Sequence, residues 1–337
     1  MLISYQAVGL RSGLVLLSLL VLLLSFVVSV AFGQYTVPLH SVWDAFWQYD
    51  PNSIDHVIIH TTRMSRAIVA CAVGAALAVS GVLMQTLTRN PLASPAIFGV
   101  NAGAVFFIVL FAQVFSVTTL NDYIWIAFVG ASLAGALVYG LGSMGHDGLS
   151  PVRIVLAGAA ISALFMSFTQ GLLVIGQEGL DSVLFWVAGS VSGRELDTIL
   201  PILPYLGAGL FVALLLSPHI NILLSGDDVA KGLGQNTLLL KVALSVLIIG
   251  LAGISVALAG NIGFIGLVVP HMVRAFVGND HKWLIPLAAV WGASLLLLSD
   301  VVSRFVLAPE EVPIGVVTAL IGTPFFIYLA RKGRKHG

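Results

Sequence analysis

GAALAVSGVLMQTLTRNPLASPAIFGVNAGA, running from Gly74 to Ala104, decides the fold. It joins the end of one apolar run to the start of another through Arg89, Asn90 and Pro91. Pro91 has no N–H to donate and drives Asn90 toward extended conformations, so a helix stops here and a rigid turn follows. In its first half Gly74, Ala78 and Gly81 share one helical face. Small side chains there let a neighbouring backbone come close, which is how helices associate in lipid. Outward from this stretch, runs of similar length recur at about 14 to 32, 67 to 87, 96 to 115, 123 to 141, 152 to 175, 198 to 217, 242 to 259, 262 to 278, 283 to 300 and 314 to 330. Each is taken as a helix crossing a hydrocarbon core of ~30 Å.

Composition agrees. Of 337 residues 58% are hydrophobic and 9% charged, with mean hydropathy +1.04, whereas soluble domains carry about a quarter charged residues. The chain is expected to be one membrane domain, residues 1–337, all-α and polytopic with ten transmembrane helices. The run from Gly13 to Phe32 exceeds a signal-peptide core of about 7 to 15 residues and is kept as the first span. A lone cysteine, Cys71, permits neither a disulfide framework nor a cysteine metal site within one chain.

Basic residues near span ends set orientation, because cytoplasmic loops retain Lys and Arg. With both termini inside, Arg11, Arg89, Arg153, Lys231, Lys241, Arg274, Lys282, Arg331, Lys332, Arg334 and Lys335 lie on the cytoplasmic side. Only Arg63, Arg66, Arg194 and Arg304 fall outside, and these four need a reason. Trp43, Phe46 and Trp47 share a face of a possible helix over Pro38 to Gln48, suited to lying in the outer interface.

Gly74, Ala78, Gly81 and Pro91 recur as Gly253, Ala257, Gly260 and Pro270, each displaced by 179 positions. The copies lie in the second and seventh spans, five crossings apart, so they enter the membrane from opposite sides, as inverted repeats do. Spans two to five (66–195) and seven to ten (241–337) form the two expected halves.

Several chemistries are missing from the sequence. No Asp, Glu, Lys or Arg sits in the middle of a predicted span, where ion-coupled transporters keep ionisable groups, and His271 beside Pro270 in the eighth is a lone histidine. There is no G-x-x-x-x-G-K-[ST] phosphate loop, no HExxH pair and no catalytic set at membrane depth. The chain is thus expected to be non-catalytic, without cofactor or metal, and to draw energy from another subunit. An ion-coupled secondary transporter is the rival reading.

Three segments carry a resemblance over almost the whole chain: Gly74 to Ala104; LLSGDDVAKGLG, Leu223 to Gly234; and GNIGFIGLVVPHMVR, Gly260 to Arg274, followed by LSDVVSR and EVPIGVVTALIGTPFF. Together they resemble the FecCD/BtuC-type permeases of binding-protein-dependent ABC importers for iron-siderophores, haem and cobalamin. The resemblance implies a type II ABC importer permease fold in the bacterial cytoplasmic membrane. Its implied partners are a second permease, identical or sister, two ABC ATPase subunits, an extracytoplasmic substrate-binding protein and a ferric siderophore or related chelate, with no nucleic acid.

The resemblance also suggests site residues. The polar connection 218–240 holds Gly226, Asp227, Asp228, Val229, Ala230, Lys231, Gly232, Leu233 and Gly234, a short helix with acidic residues at its start and Gly234 as its C-cap. By resemblance it is the coupling helix that seats on the ATPase. Arg63 and Arg66 before the second span, and Arg304 after the ninth, are docking arginines for carboxylates of the binding protein. Ser162, Met166, Thr169 and Gln170 on the fifth span are candidate pathway residues.

Overall fold

A computed structural model of the chain describes residues 2–115, 117, 119–144, 151–175 and 188–333, without the side chains of 2–11, 120, 151, 329, 330, 332 and 333. Arg334 and Lys335, parts of the first expected repeat, and the side chains of Arg11 and Lys332 lie outside this description. Among the described residues the protein is helical, with no strand beyond one isolated bridge between Leu307 and Glu310.

The elements in chain order are α1 (Leu2–Ala31), α2 (Leu39–Trp47), α3 (Ile54–Ile58), a π turn (Ile59–Arg63), α4 (Met64–Thr88), a 3-10 turn (Pro95–Phe98), α5 (Val100–Phe115), α6 (Leu120–Ser143) and α7 (Pro151–Ile175). Then come α8 (Leu196–Ile199), α9 (Leu203–Leu215), α10 (Ser217–Leu223), α11 (Asp227–Gly232), α12 (Thr237–Ala259), α13 (Ile265–Val277), α14 (His281–Phe305) and α15 (Ile314–Gly333). Among the described residues six stretches are long and apolar enough to cross a membrane: Ser12–Ala31, Ile54–Thr88, Asn121–Ser143, Val152–Ile175, Thr237–Ala259 and His281–Phe305. This is a multi-pass membrane protein.

The other predicted spans are helical but modified. Residues 198–217 resolve into α9 and α10, which meet at a 50° bend where Pro218 follows Leu216 and Ser217; taken as one span, they bring the count to seven. The α13 helix has only 13 residues, a rise of about 20 Å, and is entered through Gly260 and Phe264, both at positive φ. The α5 helix is shortened because residues 95–98 form a 3-10 turn ending at left-handed Gly99. The helix predicted from 67 begins earlier, running without interruption from Ile54 to Thr88. Arg63 and Arg66 are therefore within a helix and not in the loop before it.

Glycine places α4 at the centre of the bundle. A Cβ on Gly74 would lie 2.3 Å from the carbonyl oxygen of Gly292 in α14, and one on Gly81 would lie 1.9 Å from that of Gly266 in α13. Only a residue without a side chain permits such backbone contact. The second copy of the motif packs differently in detail: Gly253 of α12 faces Ala131 and Phe128 of α6 at ordinary distances. Thus α4 lies on α14, and α12 lies on α6. The α2 helix forms where predicted, with Trp43, Phe46 and Trp47 exposed and Ala45 buried.

Candidate functional site

The α4 helix is 25 residues long, about 37 Å, so Arg66 and Arg89 mark opposite ends of the bundle. At the Arg66 end, helix α1 finishes at Ala31 with carbonyls that have no partner within the helix. Arg63 donates through Nη1 to the carbonyls of Val30 at 3.0 Å and Ala31 at 2.6 Å, and through Nη2 to that of Tyr35. Arg304 donates to the carbonyls of Ser29 at 2.8 Å and Phe32 at 2.6 Å, and pairs with Asp300 one turn before it. Two cations thus cap one helix C-terminus, where the helix dipole favours positive charge. Arg66 bridges the other oxygen of Asp300 at 2.8 Å and Glu311 at 2.9 Å.

The three arginines nominated for docking are thus engaged inside the chain. Arg63, Arg66 and Arg304 are 4%, 7% and 2% exposed, and Asp300 is fully buried. Most of their donors are spent within the chain, because backbone carbonyls and two carboxylates converge on them, while the buried Nε of Arg304 makes no hydrogen bond in the structure. They do line an open cleft of about 230 Å³ with Gly33, Gln34, Tyr35 and Glu311. Arg194 is buried as well, donating from Nε to the carbonyl of Leu258 near the end of α12 at 2.7 Å; burial pushes it down to about 10. All four arginines left on the unexpected side by the charge tally therefore serve helix ends or buried carboxylates.

At the opposite end stands α11. Gly226, at φ +111°, allows the turn into it. Its exit is a Schellman arrangement, in which Gly234 at φ +80° donates to Lys231 at 2.9 Å and Gln235 donates to Ala230 at 3.0 Å. The predicted C-terminal role of Gly234 follows from this geometry. Its apolar residues divide: Ala230 is buried against the bundle, while Val229 and Leu233 are 51% and 68% exposed. Asp227 also turns inward. Its two oxygens meet Arg89 at 2.7 Å and Lys241 at 2.5 Å. Burial raises the Asp227 carboxyl, but the hydrogen bond and charge of Lys241, with Arg89 and Lys231, outweigh it and hold the group below its ordinary value. The preceding turn is fixed by Asn90, whose side chain accepts from the Leu92 N–H at 2.9 Å.

The four residues nominated on α7 do come together. Ser162, Met166, Thr169 and Gln170 line one cavity of about 340 Å³ with Asn101 and Asn261, among others. Spacings of four, three and one put them on one side of the helix. The sequence reading missed the two asparagines. Asn101 Nδ2 donates to Asn261 Oδ1 at 2.5 Å, linking the start of α5 to the break before α13. Their signal was a carboxamide at the edge of each apolar run. Among the described residues no cluster of three His, Cys, Asp or Glu side chains could hold a metal ion.

Comparison with known proteins gives consistent results. The model of the FecCD transport family matches residues 20–332. The chain is 47% identical over 323 residues to the "Probable siderophore transport system permease protein YfiZ" of Bacillus subtilis (strain 168), covering 96% of this chain and 97% of the relative. It is 40% identical over 320 residues to the ferric enterobactin transport system permease protein FepD of Escherichia coli (strain K12), covering 95% of each. A solved inward-facing structure of a metal-chelate type ABC transporter superposes with a TM-score of 0.81 at 32% identity, covering 95% of this chain and 99% of that one. With a family model spanning nearly its whole length and relatives matched end to end, this chain belongs to the FecCD transport family.

Proposed function

We propose that the chain is the membrane permease subunit of an ATP-driven importer carrying ferric siderophores across the bacterial cytoplasmic membrane. The observation that carries this reading is the end-to-end similarity to siderophore permeases in a chain whose predicted spans contain no central Asp, Glu, Lys or Arg. Chelates of the haem or cobalamin type are the related cargo. The chain itself is non-catalytic: ATP is hydrolysed by two partner ATPases, an extracytoplasmic binding protein delivers the chelate, and a second permease completes the path.

In this reading seven spans, counting α9 with α10 as one, are joined by the shorter α5, α13 and α15 to make ten, with both termini cytoplasmic. The halves 66–195 and 241–337 are inverted repeats. The reciprocal packing of α4 on α14 and α12 on α6 supports this, since the first helix of each half lies on the third helix of the other. The Asp227 end then faces the cytosol. Within 218–240, Val229 and Leu233 are the exposed apolar contacts for the ATPase, and Asp227 and Ala230 hold α11 to the bundle. The Arg66 end faces outward, and the binding protein docks over its cleft, with Arg63, Arg66 and Arg304 as the buried frame of that surface. The cavity at Ser162, Met166, Thr169 and Gln170 belongs to the path.

The test is affinity purification of the gently solubilised chain, followed by uptake of radio-iron supplied as ferric hydroxamate, catecholate and citrate. A co-purifying ATPase and ATP-dependent, ionophore-resistant uptake are expected. Absence of an ATPase together with uptake that collapses on ionophore addition would overturn the proposal in favour of ion-coupled transport.

A further inference from the structure

The segment carrying α10 and α11 is tied to the bundle at two separate places. Asn221 on α10 accepts from the His281 N–H at 2.9 Å and donates to Asp280 at 2.8 Å, joining α10 to the first turn of α14. Asp280 is itself the N-cap of α14, accepting from the Lys282 N–H at 3.1 Å. Six residues further on, Asp227 at the start of α11 spans Arg89, just past α4, and Lys241, in the first turns of α12. Gln235 Nε2 closes the segment by donating to the His219 carbonyl at 3.0 Å. The segment is therefore a braced foot, whose side-chain attachments reach three different long helices.

We propose that Asp227 and Asn221 are positioning residues for transport, through which a displacement of α11 is passed to α4, α12 and α14 together. This rests on the reading of Asp227 to Leu233 as the ATPase-coupling segment. Asp227 serves both expected halves at once: α4 opens one and α12 the other, and a single carboxylate holds a cation from each. Paired side chains that join rigid helices are the kind of physical connection along which coupling travels. If the carboxylate is removed, α11 can still meet the ATPase through Val229 and Leu233, but its movement reaches α4 and α12 less fully.

The experiment uses the complete complex, with both permeases, ATPases and binding protein, in proteoliposomes. It reads uptake per ATP hydrolysed for whichever of ferric hydroxamate, catecholate and citrate the unaltered complex takes up. Asp227→Asn and Asn221→Leu are each expected to leave ATPase retention unchanged and lower that ratio about fivefold or more, and Asp227→Glu should restore most of it. An unchanged ratio in Asp227→Asn, or loss of the ATPase from it, overturns the proposal. If Asp227→Asn does not assemble, Arg89→Gln combined with Lys241→Met removes the same bridges from the other side, and the same ratio decides. Val229→Asp with Leu233→Asp tests the underlying reading separately: it should release the ATPase, and retention there would sink the coupling assignment itself.

Discussion

The two ends of the bundle are both held by arginine and aspartate, yet they represent different physics. Around Asp300 the charges are buried: Arg66 and Arg304 share its carboxylate, and Arg304 also donates to backbone carbonyls. Around Asp227 the same chemistry is open to water: the Arg89 side chain is 52% exposed. Breaking a buried pair strands a charge in a poor solvent, whereas an exposed pair gives up little. The first network suits permanent construction and the second suits movement.

Asp300→Ala should have the largest effect. It leaves Arg66 and Arg304 without their shared carboxylate, at a cost of about 3–5 kcal/mol, read as loss of folded protein in detergent by size-exclusion chromatography and thermal unfolding. Survival of a normal melting profile would break the contrast between the ends. Arg304→Met comes next, because the Ser29 and Phe32 carbonyls lose their donor; about 1–3 kcal/mol is expected for each group left unsatisfied in a buried setting. Because Arg304 is buried, reversing its charge should reduce assembly as well.

At the other end Gly234→Ala forces a side chain into a left-handed turn, at a cost of about 1–2 kcal/mol, and should lower the melting temperature slightly while disturbing the Schellman exit. Asp227→Ala should change stability least, by about 0–1 kcal/mol, while still uncoupling transport. Acid and salt sharpen the comparison. The folded Asp227 carboxyl lies below its unfolded value, so its stabilisation is complete above that unfolded value, near 3.9, and is lost as pH falls through the lower folded one. Between pH 8 and 5 no change in this contribution is expected. Raising salt from about 0.1 to 1 M shortens the screening length from ~10 to ~3 Å. That should weaken the Asp227 bridges, seen as faster hydrogen exchange across 226–235, and leave exchange near Asp300 unaltered.

Much of this molecule is readable from one dimension. Apolar runs located the helices because lipid requires backbone groups to be satisfied within each span. Pro91, Gly234 and the small residues Gly74 and Gly81 announced a turn, a helix exit and two close approaches, since each acts through its own backbone or missing side chain. The α7 residues Ser162 to Gln170 were found together because helical periodicity alone puts them on one face. Lengths were harder: Pro218 and the positive-φ break at Phe264 reshape spans that hydropathy reads as continuous.

The arginines depended on tertiary structure alone. A lone Arg in sequence reads as solvent-facing, because burial of its charge needs partners from elsewhere in the chain. Those of Arg63 are carbonyls of residues 30, 31 and 35, about thirty positions away, and every residue has a carbonyl, so no letter in the sequence marks them. The four-residue spacing of Asp300 and Arg304 was the one visible hint. Sequence determined which segments enter the membrane and where they stop, since those depend on local solvation and backbone freedom; which charges turn inward was decided only when separate helix ends met.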